Sequence, residues 1–307
     1  MRIAVIGAGG VGGYFGGRLA QAGHRVQFLA RGRQLAALQG RGLTLESAAG
    51  NATISPVEAT DDPAALAGAD VVLVTTKLWD LEATARQIAP AVGPATVVVP
   101  FQNGVDAVDL LAGAIPRDRI AGGVAYIAAT IREPGVIAQT GTMARLRVGP
   151  LEPGQRAVLQ ALTEAGNAAG YTAELVDDAA RILWEKFVFL NAFSGVTALT
   201  RQPAEAIRSD PDLRAAFAAS VAEVIRLAVH GGVTFPTGFE AAQLQALDNL
   251  PGAMRSSMLN DLQAGNRIEA PWLCGAVVRR SAQAGLPAPV NQTIWAALKP
   301  FVAGRGG

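Results

Sequence analysis

The stretch Arg2-Ile3-Ala4-Val5-Ile6-Gly7-Ala8-Gly9-Gly10-Val11-Gly12 decides the fold of this chain. A short apolar run breaks into glycines just before a helix-like segment. Gly7, Gly9 and Gly12 match G-x-G-x-x-G in strand–turn–helix context, the fingerprint of a dinucleotide-binding turn. The first glycine permits the tight turn. The second lets backbone approach a pyrophosphate, and the third lets helix and strand pack closely. Unpaired N–H groups and the positive end of the helix dipole would face the phosphates. The candidate cradle is Gly7, Ala8, Gly9, Gly10, Val11 and Gly12. A glycine-rich turn that holds no ligand is the alternative.

Working outward, the next strand ends in Phe28-Leu29-Ala30-Arg31-Gly32-Arg33. An NAD site expects an acid there, bonded to the ribose 2′-hydroxyl. This chain offers none. Arg31 and Arg33 stand where a 2′-phosphate would lie, and a guanidinium fork suits phosphate. The pattern favours NADPH/NADP over NADH, against the alternative of two surface arginines on a turn.

Short β-branched runs then alternate with helix-like stretches. Strands are expected at residues 2–6, 25–29, 71–75, 96–99, 120–127 and 144–148, and helices at 11–22, 78–89 and 154–169. Continuous apolar runs such as Val71-Val72-Leu73-Val74 suit strands buried on both faces. The alternation predicts a Rossmann-type, doubly wound parallel sheet. Glu133-Pro134-Gly135 and Thr140-Gly141-Thr142 are turn signals, so a hairpin-like meander is expected between residues 131 and 142. From residue 178 the pattern becomes helical, at 178–199, 211–230, 238–247, 253–264, 270–284 and 291–302. Ser209 or Asp210 can cap the second of these, with Pro211 in its first turn and Gly231-Gly232 at its end. The predicted organisation is an α/β domain over residues 1–177 and an all-α domain over 178–307.

Composition narrows the function. The chain has 307 residues, 50% hydrophobic and 17% charged, which excludes intrinsic disorder. A net charge of +1 gives no field for nucleic acid or an anionic membrane. One cysteine, Cys274, and two histidines, His24 and His230, argue against a disulfide framework and a Cys- or His-based metal site. The glycines interrupt the first apolar run before it could serve as a signal peptide. Runs such as residues 71–74 and 97–99 are too short to span a bilayer. The expectation is a soluble, cytoplasmic protein that starts at its first strand.

The basic residues are 23 arginines and only three lysines: Lys77, Lys186 and Lys299. Lysine is retained where arginine's planar, permanently charged fork will not serve. Lys186 has Ile182, Leu183, Phe189 and Leu190 as helical neighbours, all apolar. Either it snorkels to water, or it is desolvated with a lowered pKa and can donate a proton near neutrality. Lys77 ends a strand, where ligands bind in open parallel sheets. Asn103 lies at another strand end, in Gln102-Asn103-Gly104, which also reads as a plain turn. Glu269 precedes an apolar helix, where it could simply complement the dipole.

Together these residues resemble the ketopantoate reductase (2-dehydropantoate 2-reductase) family. The resemblance spans the chain: the glycine turn, Arg31, Thr75-Thr76-Lys77, Gln102-Asn103-Gly104, Trp184-Glu185-Lys186, Thr197-Ala198-Leu199, Ser256-Ser257-Met258-Leu259, Asp261 and Glu269. It implies NADPH-dependent reduction of a 2-oxo acid by direct hydride transfer, with ketopantoate the default substrate. It implies that Lys186 protonates the carbonyl oxygen and that Glu269 sits in the catalytic and cofactor site. Asn103 and Ser257 would contact substrate or cofactor, Lys77 and Ala128 the cofactor, and the protein would be a homodimer. The chain departs from the family at Leu190, Ser194 and Ala204, where well-matched members carry asparagines. Asn191 is one residue off, turned about 100° around the helix. Such losses change discrimination, so a bulkier 2-oxo substrate is the main alternative. A non-catalytic dinucleotide-binding regulator is the other, and retention of Lys186 and Glu269 argues against it.

Overall fold

A computed structural model describes residues 1–305 and divides the chain into two compact units. The first comprises Met1–Gln102 and Ala107–Ala179; the second comprises Asn103–Asp106 and the chain from Ala180 onward. The four-residue segment Asn103–Asp106 thus packs with the helical unit, although the expected division kept everything before residue 178 together.

In the first unit β1 (Arg2–Ile6), β2 (Arg25–Leu29), β5 (Glu58–Thr60), β6 (Val71–Val74) and β7 (Val97–Pro100) form a parallel sheet of order β5-β2-β1-β6-β7. All four residues of β6 and of β7 are buried, as expected for strands covered on both faces. A second sheet combines β3 (Leu43–Glu46), β4 (Ala52–Ile54), β8 (Gly122–Glu133), β9 (Val136–Gly149) and β10 (Thr172–Leu175). Helices α1 (Gly10–Gln21), α2 (Gly32–Arg41), α3 (Leu81–Ile88), α4 (Ala107–Ala112) and α5 (Arg156–Ala168) complete the unit. Helix α1 packs against strands of both sheets and buries Tyr14, Phe15 and Leu19 in their shared core.

The second sheet, with β3, β4 and β10, was not foreseen, nor were β5, α2 and α4. The hairpin was foreseen only in part. Glu133 and Val136 close a turn at Pro134-Gly135, so β8 and β9 pair antiparallel. Thr140-Gly141-Thr142 is not a second turn but lies inside β9. There the ladder jumps from Ile127↔Ala144 to Ala129↔Gln139, leaving residues 140–143 opposite Ala128. Turn-forming residues here serve a bulge.

The second unit contains α6 (Ala179–Thr200), α7 (Ala204–Ser209), α8 (Pro211–His230), α9 (Phe239–Asp248), α10 (Ser257–Ala264), α11 (Cys274–Gln283) and α12 (Pro289–Leu298). Asp210, not Ser209, caps α8 by accepting from the N–H groups of Asp212 and Leu213. Helix α6 is 22 residues long and apolar enough to cross a bilayer, which the reading of short apolar runs had overlooked. Residues 191–198 are buried all round, as in a core helix. Phe187, Val188, Phe193 and Val196 pack there with Phe217, Val221 and Ile294. Beside them Glu223 accepts from the N–H groups of Val290 and Asn291 at 2.8 and 3.0 Å, satisfying the start of α12 from a neighbouring helix.

Candidate functional site

In the first unit the cradle is built of backbone. Gly9 precedes α1 and offers no side chain to cap it, so the first-turn N–H groups are left for another acceptor. A Cβ on Gly12 would lie 2.2 Å from the Gly7 carbonyl oxygen and 2.3 Å from Thr75 Oγ1. No other residue fits there. The Thr75 hydroxyl donates to the Ile6 and Gly7 carbonyls at 2.9 and 2.7 Å, tying the turn to the end of β6.

Around this turn lie the other expected cofactor residues of the unit. Arg31 is exposed at the end of β2, with its guanidinium on the Gln87 amide oxygen. Lys77 is exposed past the end of β6, its Nζ 5.4 Å from the Trp79 ring centroid. Ala128 is the exposed residue at the β8 irregularity, next to Ala129, whose carbonyl oxygen a Cβ on Gly10 would strike. The Gln102 amide donates to the carbonyls of Val74 and Thr76. Its oxygen and Thr76 Oγ1 are buried with no protein partner among the described residues. Open first-turn N–H groups, arginine in place of an acid and two unsatisfied polar atoms near the strand ends fit a phosphorylated dinucleotide.

In the second unit three side chains form a chain of hydrogen bonds. Lys186 Nζ donates to Asn103 Oδ1 at 3.0 Å, and Asn103 Nδ2 donates to Glu269 Oε2 at 3.2 Å. Lys186 retains a partly exposed surface. The protein around its ammonium nevertheless strips away water and lowers the pKa to about 8, with Glu269 pulling it upward. Desolvation rather than snorkelling accounts for that shift. An amine of that pKa is protonated at neutrality and still a usable proton donor. Glu269 is buried and caps nothing with its side chain. The segment after it is a single tight turn, Ala270–Trp272, and α11 begins only at Cys274, so the single helix expected over residues 270–284 is broken. Asn103-Gly104 is a turn, and it also carries the central amide of the trio.

Ser257 is exposed in the first turn of α10. Its neighbour Ser256 is buried, caps α10 through Leu259 N–H and lies 2.7 Å from Thr197 Oγ1. That cap starts α10 at Ser257, whereas the helix was expected from residue 253. Leu190 and Ser194 follow Lys186 by one and two turns. Ser194 is buried with its hydroxyl unpartnered among the described residues. Ala204 is fully buried. Asn191 points into the core and donates to Asn291 Oδ1 at 2.7 Å, so it does not substitute for a side chain at position 190. Cys274 is buried and its thiol pushed up to about 12 by that burial, which leaves it inert. The sequence reading missed Asp106, Arg279 and Arg280, which meet in an ion-pair cluster around the buried Asp106 carboxylate. A carboxylate more than 170 residues from its two arginines gives no local signal.

Comparison with known proteins matches both units. The pattern described as "Ketopantoate reductase PanE/ApbA" covers residues 3–153, and its "C terminal" counterpart covers 178–302. The chain is 29% identical to the uncharacterized oxidoreductase YkpB of Bacillus subtilis, over 99% of each chain. It is 31% identical to 2-dehydropantoate 2-reductase of Mesorhizobium japonicum, over 100% of this chain and 99% of that one. Among solved structures it is similar to a PanE/ApbA family ketopantoate reductase from Ralstonia eutropha. There the TM-score is 0.89, with 31% identity over 98% of both chains.

Proposed function

Because the chain belongs to the ketopantoate reductase family, an oxidoreductase family that uses NADPH, we propose that it reduces a 2-oxo acid to the 2-hydroxy acid. Ketopantoate, reduced to pantoate for pantothenate synthesis, is the default substrate. The observation that carries this reading is the Lys186–Asn103–Glu269 hydrogen-bond chain with its depressed lysine pKa. NADPH, when bound, supplies the hydride. The glycine turn Gly7–Gly12 holds its phosphates, Arg31 favours the 2′-phosphate, and Lys77 and Ala128 line the remainder. Lys186 stabilises the developing alkoxide and then protonates it. Asn103 orients the ammonium through its amide oxygen. Glu269 holds that amide and keeps the lysine charged by its own negative charge. Ser257 contributes a hydroxyl to the substrate. The reading includes a cytoplasmic homodimer, which sedimentation of the purified protein and cell fractionation test.

Leu190, Ser194 and Ala204 favour a second reading, in which the chemistry is kept and the substrate is bulkier or more apolar. An isobutyl group cannot bond a substrate hydroxyl, and a pocket without those amides loses discrimination for polar substrates. NADPH oxidation across a panel of 2-oxo acids decides. A kcat/KM for ketopantoate well above the rest supports the default; preference for branched or aromatic 2-oxo acids supports the second. Leu190→Asn then raises kcat/KM for ketopantoate about tenfold, the worth of one hydrogen bond.

A further inference from the structure

We propose that Asp106, Arg279 and Arg280 are positioning residues, whose ion-pair cluster sets Asn103 in register between Lys186 and Glu269. The inference deepens the reductase reading and rests on it for the consequence in turnover.

Asn103–Asp106 is attached in sequence to the strand-containing unit at both ends, yet packs with the helices. Something must hold those four residues there. Asp106 is 9% exposed, and its carboxylate takes both guanidiniums. Arg280 reaches Oδ1 through Nε at 2.8 Å and Nη2 at 2.7 Å, and Arg279 Nη2 reaches Oδ2 at 3.2 Å. The other arm of Arg279 donates to the Pro271 carbonyl at 2.7 Å. One guanidinium therefore clamps two turns, gripping the residue three after Asn103 and the residue two after Glu269. The turns also touch directly. Gly104 has φ +99°, and a Cβ there would lie 2.9 Å from the Trp272 carbonyl oxygen. Contacts at Asn103–Glu269, Gly104–Trp272 and Asp106–Arg279–Pro271 fix the register of one turn on the other.

An ion pair whose guanidiniums are partly exposed is a poor source of stability, because solvent screens the attraction. Its geometry is its use. Guanidinium contacts to both carboxylate oxygens, two from Arg280 on Oδ1 and one from Arg279 on Oδ2, specify direction as well as distance. Here they fix the side chain whose amide oxygen accepts from Lys186.

The test is Asp106→Asn, similar in size but uncharged, with two readouts. Lysines carrying a ¹³C label at Cε give three signals, and Lys186→Arg identifies the one that matters. Loosening Asn103 removes an acceptor that favours the ammonium, so the Lys186 titration midpoint falls by about half a pH unit. In the same variant kcat falls about tenfold to a hundredfold while KM for NADPH is unchanged. Arg279→Gln, which leaves Asp106 paired with Arg280, moves both quantities in the same directions by less, and serves if Asp106→Asn does not fold. A folded variant with the wild-type Lys186 midpoint overturns the inference, whether or not kcat has dropped. If the wild-type protein reduces no 2-oxo acid, the functional reading fails, while the titration still decides the positioning.

Discussion

The glycine turn of the first unit and the lysine cluster of the second are built on opposite principles. The turn uses backbone from eleven consecutive residues, Arg2 to Gly12, with one hydroxyl, that of Thr75, to brace it. The cluster uses three side chains from positions 103, 186 and 269, separated by 83 residues in each interval. In the turn, function needs the absence of side chains. In the cluster it needs particular side chains held at hydrogen-bond distance. A local site of the first kind fails when something is added; a dispersed site of the second kind fails when something is removed or displaced.

Substitutions sharpen that contrast. Lys186→Ala is expected to lower kcat by about a hundred- to ten-thousand-fold with NADPH affinity nearly unchanged, the usual worth of a general acid. Steady-state kinetics and a fluorescence titration of NADPH measure the two quantities. A turnover within a few-fold of wild type would remove Lys186 from the chemistry. Gly12→Ala forces a Cβ to within 2.2 Å of a carbonyl oxygen. Overpacking of this kind costs about 1–3 kcal/mol, and is expected to weaken NADPH by up to about a hundredfold and to lower the melting temperature. Unchanged affinity would show that the turn does not cradle the dinucleotide.

The pH dependence separates the two sites as well. A general acid works only while protonated, and the Lys186 pKa is about 8. The reduction rate is therefore expected to be flat near neutrality and to fall about tenfold per pH unit well above 8. NADPH binding to the backbone turn should not follow that limb. A basic limb near the ordinary lysine value would contradict the desolvated ammonium. The smallest effect expected is that of Arg31→Ala, an exposed side chain, which should weaken NADPH about tenfold and leave NADH unchanged. Equal losses for both would assign Arg31 to something other than the 2′-phosphate.

What was legible follows from the same division. β1 and β2 were read at their observed bounds because apolar runs and the glycine break are local signals. Helix α8 was read at both ends from Pro211 and Gly231-Gly232. Helix α2 was missed because Gly32, Gly40 and two arginines make its ten residues look like a loop. β4 and β5 were missed because three residues are too few to show a period. In the site, scarcity of lysine marked Lys186, while its apolar helical neighbours left snorkelling and desolvation both open. Nothing in the sequence distinguished Ser256, which is buried and caps a helix, from exposed Ser257. Asp106, Arg279 and Arg280 carry no local signal that pairs them.

The sequence by itself determined the parallel strand-and-helix architecture, the glycine turn and the identity of the one unusual lysine. Each depends on residues near one another along the chain, where sterics and periodicity act directly. Only the tertiary structure decided that Asn103 joins Lys186 to Glu269, and that Asn191 pairs with Asn291 in the core. It alone decided that Asn103–Asp106 packs with the helices. Side-chain hydrogen bonds and ion pairs require positions fixed to a few tenths of an ångström, and those positions exist only once distant segments have packed.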